Sequence, residues 1–199
     1  SGPIRPGCRI VRGGTRCCCT ATGSRVKKTV IAAEQTREDI ARARTEWRAG
    51  MTALEPSRLV FIDESGFDTK MTRRCGRAAR GVRCLGAVPH AHWRSNTFIA
   101  GLRSDRIDAP VLLEGAMDGD AFSAWVEQML APALSKGDIV VCDNLGVHKN
   151  AKARAAIEAR GAELRFLPAC SPDLNLVEMV FAKIKTLVRG SGVMSLLVV

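Results

Sequence analysis

The chain has no pair of cysteines at Cys-x-x-Cys spacing, although eight cysteines occur in its 199 residues. Cys8, Cys17, Cys18 and Cys19 crowd one end, three of them adjacent, which suits neither a tetrahedral zinc site nor a disulfide framework. Cys84 and Cys142 lie in apolar runs and read as small buried hydrophobes. No secretory signal is evident, and no apolar run approaches the ~20 residues that span a bilayer. The expectation is a reducing, cytoplasmic setting with no membrane contact. Acids are nearly missing from residues 70–106, where Asp105 alone faces Lys70, Arg73, Arg74, Arg77, Arg80, Arg83, Arg94, Arg103 and Arg106. Such a run is either a solvated face or a surface that tracks a polyanion. Residues 107–148 reverse the balance, with seven Asp or Glu against Lys136 alone, within a formal net charge of +10. A basic surface beside an acidic pocket is the arrangement an enzyme needs to hold and cut a nucleic-acid backbone.

What is present organises into four parts. Residues 1–26 carry Gly, Cys, Arg and Thr without a hydrophobic period and are expected to be irregular. Residues 27–57 hold a helix over 30–49, with Ile31, Ile40 and Trp47 on a thin apolar face, expected to pack weakly or to bridge to another module. Residues 58–189 read as an α/β domain, and residues 190–199 as an apolar tail. Within the domain, strands are expected over 58–63, 81–89, 94–102 and 110–116. A helix follows from Asp118 to about Leu130, with Phe122, Trp125, Val126 and Met129 on one face. A buried strand over 138–143, a basic helix over 149–160 closed by Gly161, a strand over 162–167 and a last helix complete the set. Leu174, Val177, Phe181, Ile184 and Val188 recur at helical spacing in that helix. Strands come first and strand–helix pairs later, so a mixed sheet, antiparallel early and parallel late, is expected.

Three acids punctuate this pattern. Asp63 closes the run Leu59-Val60-Phe61-Ile62, Asp143 closes Asp138–Cys142, and Glu178 opens the last amphipathic helix. Carboxylates on strand ends sit on rigid backbone, and hard divalent cations prefer their oxygens. Two such ions can activate an attacking oxygen and stabilise a leaving one, which is what phosphodiester cleavage requires. Each acid alone has a plainer reading, as a loop cap, a post-strand turn or a helix-dipole partner. Glu64 and Asp173 are the acids most easily mistaken for members of the set, Glu64 because it points to the strand face opposite Asp63. His148 is a candidate contact to substrate phosphate or to the attacking water, the alternative being a surface histidine at a helix start. Arg73, Arg74 and Arg77 are the candidate DNA-backbone contacts. His90 and His92 share a strand face but lack a third ligand, and Trp93 reads as core.

The runs IDESGF, VVCDNLGVHK and LPACSPDLNLVEMVFAKIK resemble the three acidic motifs of the DDE transposases, in their bacterial insertion-sequence branch related to mariner elements. The resemblance covers roughly residues 27–189. It implies an RNase H-like fold, a mixed sheet flanked by helices, with Asp63, Asp143 and Glu178 as the metal-binding triad. It implies Mg²⁺ or Mn²⁺, two ions, and DNA at element ends and target as partners. A homodimer and a nucleoid-associated place in a bacterial cytoplasm are implied as well. The chain departs from the family at Leu176, where Pro is common, and at Cys170, where an aromatic is common. Helix-turn-helix domains usual in the family have no room in residues 1–26, so a truncated, decayed or deliberately cut copy is expected. A nuclease without strand transfer and an inactive nucleic-acid-binding remnant stay open as alternatives.

Overall fold

The computed structural model describes residues 32–68, 71, 78, 82–85 and 94–191. They fall almost wholly in one compact unit, Glu34–Val199. A turn of 3-10 helix leads into α1 (Glu38–Met51), and Pro56–Arg58 turns the chain into β1 (Leu59–Asp68). Then follow β2 (Ser95–Leu102), β3 (Ile107–Glu114), α2 (Gly119–Trp125), a π turn (Val126–Leu130) and α3 (Ala131–Ala133). The remainder is β4 (Ile139–Cys142), α4 (Ala151–Ala159), β5 (Glu163–Phe166) and α5 (Val177–Ser191). The five strands form one mixed sheet in the order β3-β2-β1-β4-β5. β1 pairs antiparallel with β2, and β2 with β3; β1–β4 and β4–β5 are parallel. The expected mixture of early antiparallel and late parallel strands is therefore the one formed.

Both sheet faces are covered, so the central strands carry continuous apolar runs rather than alternation. Val60, Ile62, Ile99, Val140 and Cys142 pack with Phe122, Trp125, Val126, Leu130, Ala153 and Ile157 of the helices on one face. Leu59, Phe61, Ala100, Ile139 and Val141 pack with Val177 and Phe181 of α5 on the other, where Trp47, Met51 and Leu54 join them. Local caps match the sequence: the Asp118 side chain accepts from Ala121 N–H, and Gly161 takes φ +74° where the chain leaves α4. Among the described residues, no helix is long and apolar enough to cross a membrane.

Several expectations need correcting. β1 does not stop at Asp63 but runs to Asp68, because β2 continues to pair with it out to Asp68↔Ser95. Of the strand expected over 81–89 only 82–85 are described; they carry no strand, and Cys84 there is exposed. Met129 is exposed and Leu130 buried in its place, since the wider π turn shifts the inward face by one residue. α1 does not pack weakly: Ile40 and Arg44 are both buried. Residues 1–31 and 192–199 lie outside the described residues, as do His90, His92 and Trp93.

Candidate active site

β1 and β4 run side by side only over Leu59–Phe61 and Ile139–Val141. β4 ends at Cys142, while β1 continues alongside β2 alone. Asp63 and Asp143 stand at this divergence, the first mid-strand and the second just past the carboxyl end of β4. Open parallel sheets place their sites at the carboxyl ends of strands for the same reason: the chain leaves the sheet and exposes its last side chains.

Asp63 is buried, with its carboxylate accepting from Glu64 N–H at 2.8 Å and from the Asn175 side-chain amide at 3.1 Å. Burial pushes its carboxyl up to about 7, against the Glu64 N–H bond, and the charges of Glu64, Glu178 and Asp143 add to the rise. The charges of Asp143 and Glu178 thus reach Asp63. Glu178 is exposed in the first turn of α5, and its N–H donates to Asn175 O at 3.2 Å. Burial would raise Asp143 too, but hydrogen bonds from His148 and from Leu145 N–H outweigh it and hold the carboxyl below its ordinary range.

His148 is not the surface histidine of the alternative reading: it is 1% exposed and packs against the Phe122 ring with centroids 4.7 Å apart. Its Nδ1 bonds Asp143 and its Nε2 bonds Glu64 at 2.9 Å. Burial disfavours the imidazolium, yet the two carboxylates overcome this and push the pKa up to about 10. Glu64 does point away from Asp63, as alternation requires, but its longer side chain there reaches the histidine that holds Asp143. Asp173 is absent from the set: it is committed to Arg44 at 2.7 Å.

Of the basic run, Arg103 is buried between Asp108 and Asp138, whereas Arg106, paired with Asp108 and Asp105, Arg94, paired with Glu114, and Arg83 are exposed. Lys70, Arg73, Arg74, Arg77 and Arg80 lie outside the described residues. Sequence reasoning missed Asn175 and Glu64 as neighbours of the acids. Asn175 stands three residues before Glu178 in the third motif, a signal that could have flagged it.

Among the described residues no three His, Cys, Asp or Glu side chains enclose a common point as a ready metal cage. The donor set nonetheless fits a hard divalent cation by its chemistry. Asp63, Asp143 and Glu178 offer carboxylate oxygen throughout.

The family described as DDE superfamily endonuclease matches residues 58–194. Solved structures similar to the chain include the Mos1 mariner paired end complex with Mn, at 17% identity and TM-score 0.66, covering 84% of this chain and 54% of that one. The Mos1 strand transfer complex is 16% identical with TM-score 0.64, over 84% of this chain and 54% of that one. The Mos1 catalytic domain alone is 14% identical with TM-score 0.51, over 81% and 75%. At these identities the likeness shows the fold, which is RNase H-like. The chain spans 54% to 61% of the paired-end and strand-transfer chains it matches. No curated protein matches it.

Proposed function

The chain belongs to the DDE superfamily of endonucleases, and on that premise we propose that it is the catalytic part of a transposase, cutting DNA at element ends and joining them to target DNA. The observation that carries this reading is the placement of Asp63, a buried carboxylate held by Asn175 and by Glu64 N–H where β1 and β4 diverge. Residues 58–189 would be the catalytic domain, and Asp63, Asp143 and Glu178 would hold two Mg²⁺ or Mn²⁺ ions. Bound there, the ions would activate the attacking oxygen and stabilise the leaving one.

The chain's own residues supply the rest. Asp63 is fixed by Asn175 and by Glu64 N–H, and Asp143 by His148 and Leu145 N–H. Four fixed bonds on two carboxylates mean that little reorganisation is needed when the substrate arrives. Glu178, exposed on a helix, is free to adjust as the scissile phosphate changes geometry. A homodimer suits a reaction that must bring two ends together, and DNA is the partner that the basic charge balance favours.

The test is product analysis on a labelled duplex in Mn²⁺. Transposase chemistry yields cleaved ends and joined strands, whereas a nuclease without strand transfer yields cleaved ends only. Binding of DNA with no cleavage would leave a nucleic-acid-binding remnant.

A further inference from the structure

We propose that Arg44 is a positioning residue, through which α1 sets the third acidic motif against Asp63. The inference rests on the proposed cation site and says how that site is assembled. Arg44 is 8% exposed, unusual for an arginine on a helix with so thin an apolar face. Both of its terminal nitrogens donate to Asp173, at 2.8 and 2.7 Å, across 129 residues of sequence. A two-pronged guanidinium–carboxylate pair fixes orientation as well as distance. Gln35 adds to the same hold, donating to Cys170 O at 2.7 Å and to Asp173 at 3.2 Å. Cys170 itself takes φ +53°, a left-handed conformation costly for a residue with a Cβ, so the loop needs an outside hold to keep its shape.

From Asp173 the constraint passes a short way. Asp173 lies in the single turn Pro172–Leu174, closed by Asn175 N–H donating to Pro172 O at 2.9 Å. Asn175 is 2% exposed, and its amide nitrogen donates to Asp63 at 3.1 Å and to Ile62 O at 3.4 Å. Among the described residues its carbonyl oxygen Oδ1 has no hydrogen-bond partner. Its backbone oxygen accepts from Glu178 N–H. One residue therefore touches Asp63 and the first turn that carries Glu178, and the turn that presents it is anchored to α1.

A merely structural Arg44 would affect stability alone, so the test reads the cation site. Mn²⁺ binding to the full chain is followed by electron paramagnetic resonance for wild type, Asp143→Asn, Arg44→Met and the charge swap Arg44→Asp with Asp173→Arg. Met keeps the apolar stem and leaves Asp173, already half exposed, in water. The expected result is a thermal midpoint within about 2 °C of wild type and Mn²⁺ affinity about tenfold weaker, the size of effect that outer-shell partners exert. If Arg44→Met melts instead, the swap decides: regained affinity supports the positioning role, and a folded swap whose affinity stays about tenfold weaker overturns it. Wild-type affinity in a folded Arg44→Met overturns the proposal alone. Absence of Asp143-dependent Mn²⁺ binding in the wild type overturns the cation-site reading itself.

Discussion

Strand β4 is bracketed by two aspartates that the fold treats in opposite ways. Asp138, at its amino end, is 4% exposed and closed into protein contacts: Arg103 at 2.6 Å and Ser135 N–H at 2.8 Å. Asp143, at the carboxyl end, bonds the buried His148, which also bonds Glu64, and its charge adds to those of Glu64 and Glu178 in raising the Asp63 carboxyl. At the first end each negative charge has its arginine; at the second, among the described residues, Asp143 and Glu64 share one histidine. The amino end is finished by the chain itself, and the carboxyl end has a charge balance that an external cation would complete. Both ends look alike in sequence, an Asp beside an apolar run, and only the partners brought from elsewhere tell them apart.

Substitutions should separate the two ends. The largest effect belongs to Asp63→Asn, which should lower Mn²⁺-dependent plasmid nicking by about a thousandfold, several kcal/mol of transition-state stabilisation. The same variant should melt no earlier than wild type without metal, because it removes a desolvated carboxylate from among like charges. Asp138→Ala should do the reverse. It leaves Arg103 buried with Asp108 alone and should cost about 3 kcal/mol in urea unfolding, with Mn²⁺ affinity unchanged.

A smaller effect concerns acid. Burial raises the Asp138 carboxyl, but the bonds from Arg103 and Ser135 N–H hold it below the ordinary 3.8. A depressed carboxylate stabilises the fold above its unfolded value, and that contribution is lost as pH falls through the folded one. Asp138→Asn should therefore flatten the fall in thermal midpoint below about pH 4 while lowering stability at neutral pH. The smallest effect should come from Arg106→Ala on the same network. Arg106 is largely in solvent, and Asp108 keeps Arg103 at 2.5 Å, so the melt should barely move.

How much of this was legible follows from how local each signal is. All five strands and the helices could be read from apolar runs and caps, and the order antiparallel-then-parallel from their spacing. The continuation of β1 through Glu64-Ser65-Gly66-Phe67-Asp68 could not, since it depends on a partner strand some thirty residues away. The three acids were visible because each sits at a change of pattern. Arg103 was misread as part of a basic surface because its partners, Asp108 and Asp138, lie in the acidic segment that follows. His148 was placed near the site for the right spacing and given the wrong surroundings: that it is buried against Phe122 follows from packing, not from periodicity. The Arg44–Asp173 pair joins a helix to a turn 129 residues on, and no local pattern announces it.

The most direct test of the account is a side-by-side plasmid-nicking assay in Mn²⁺ with wild type, Asp143→Asn and Asp138→Asn. Nicking by wild type and by folded Asp138→Asn, with none by Asp143→Asn, is the predicted result. Nicking that survives Asp143→Asn at the wild-type rate would contradict it, because the carboxyl end of β4 would then not be where the phosphodiester is cut.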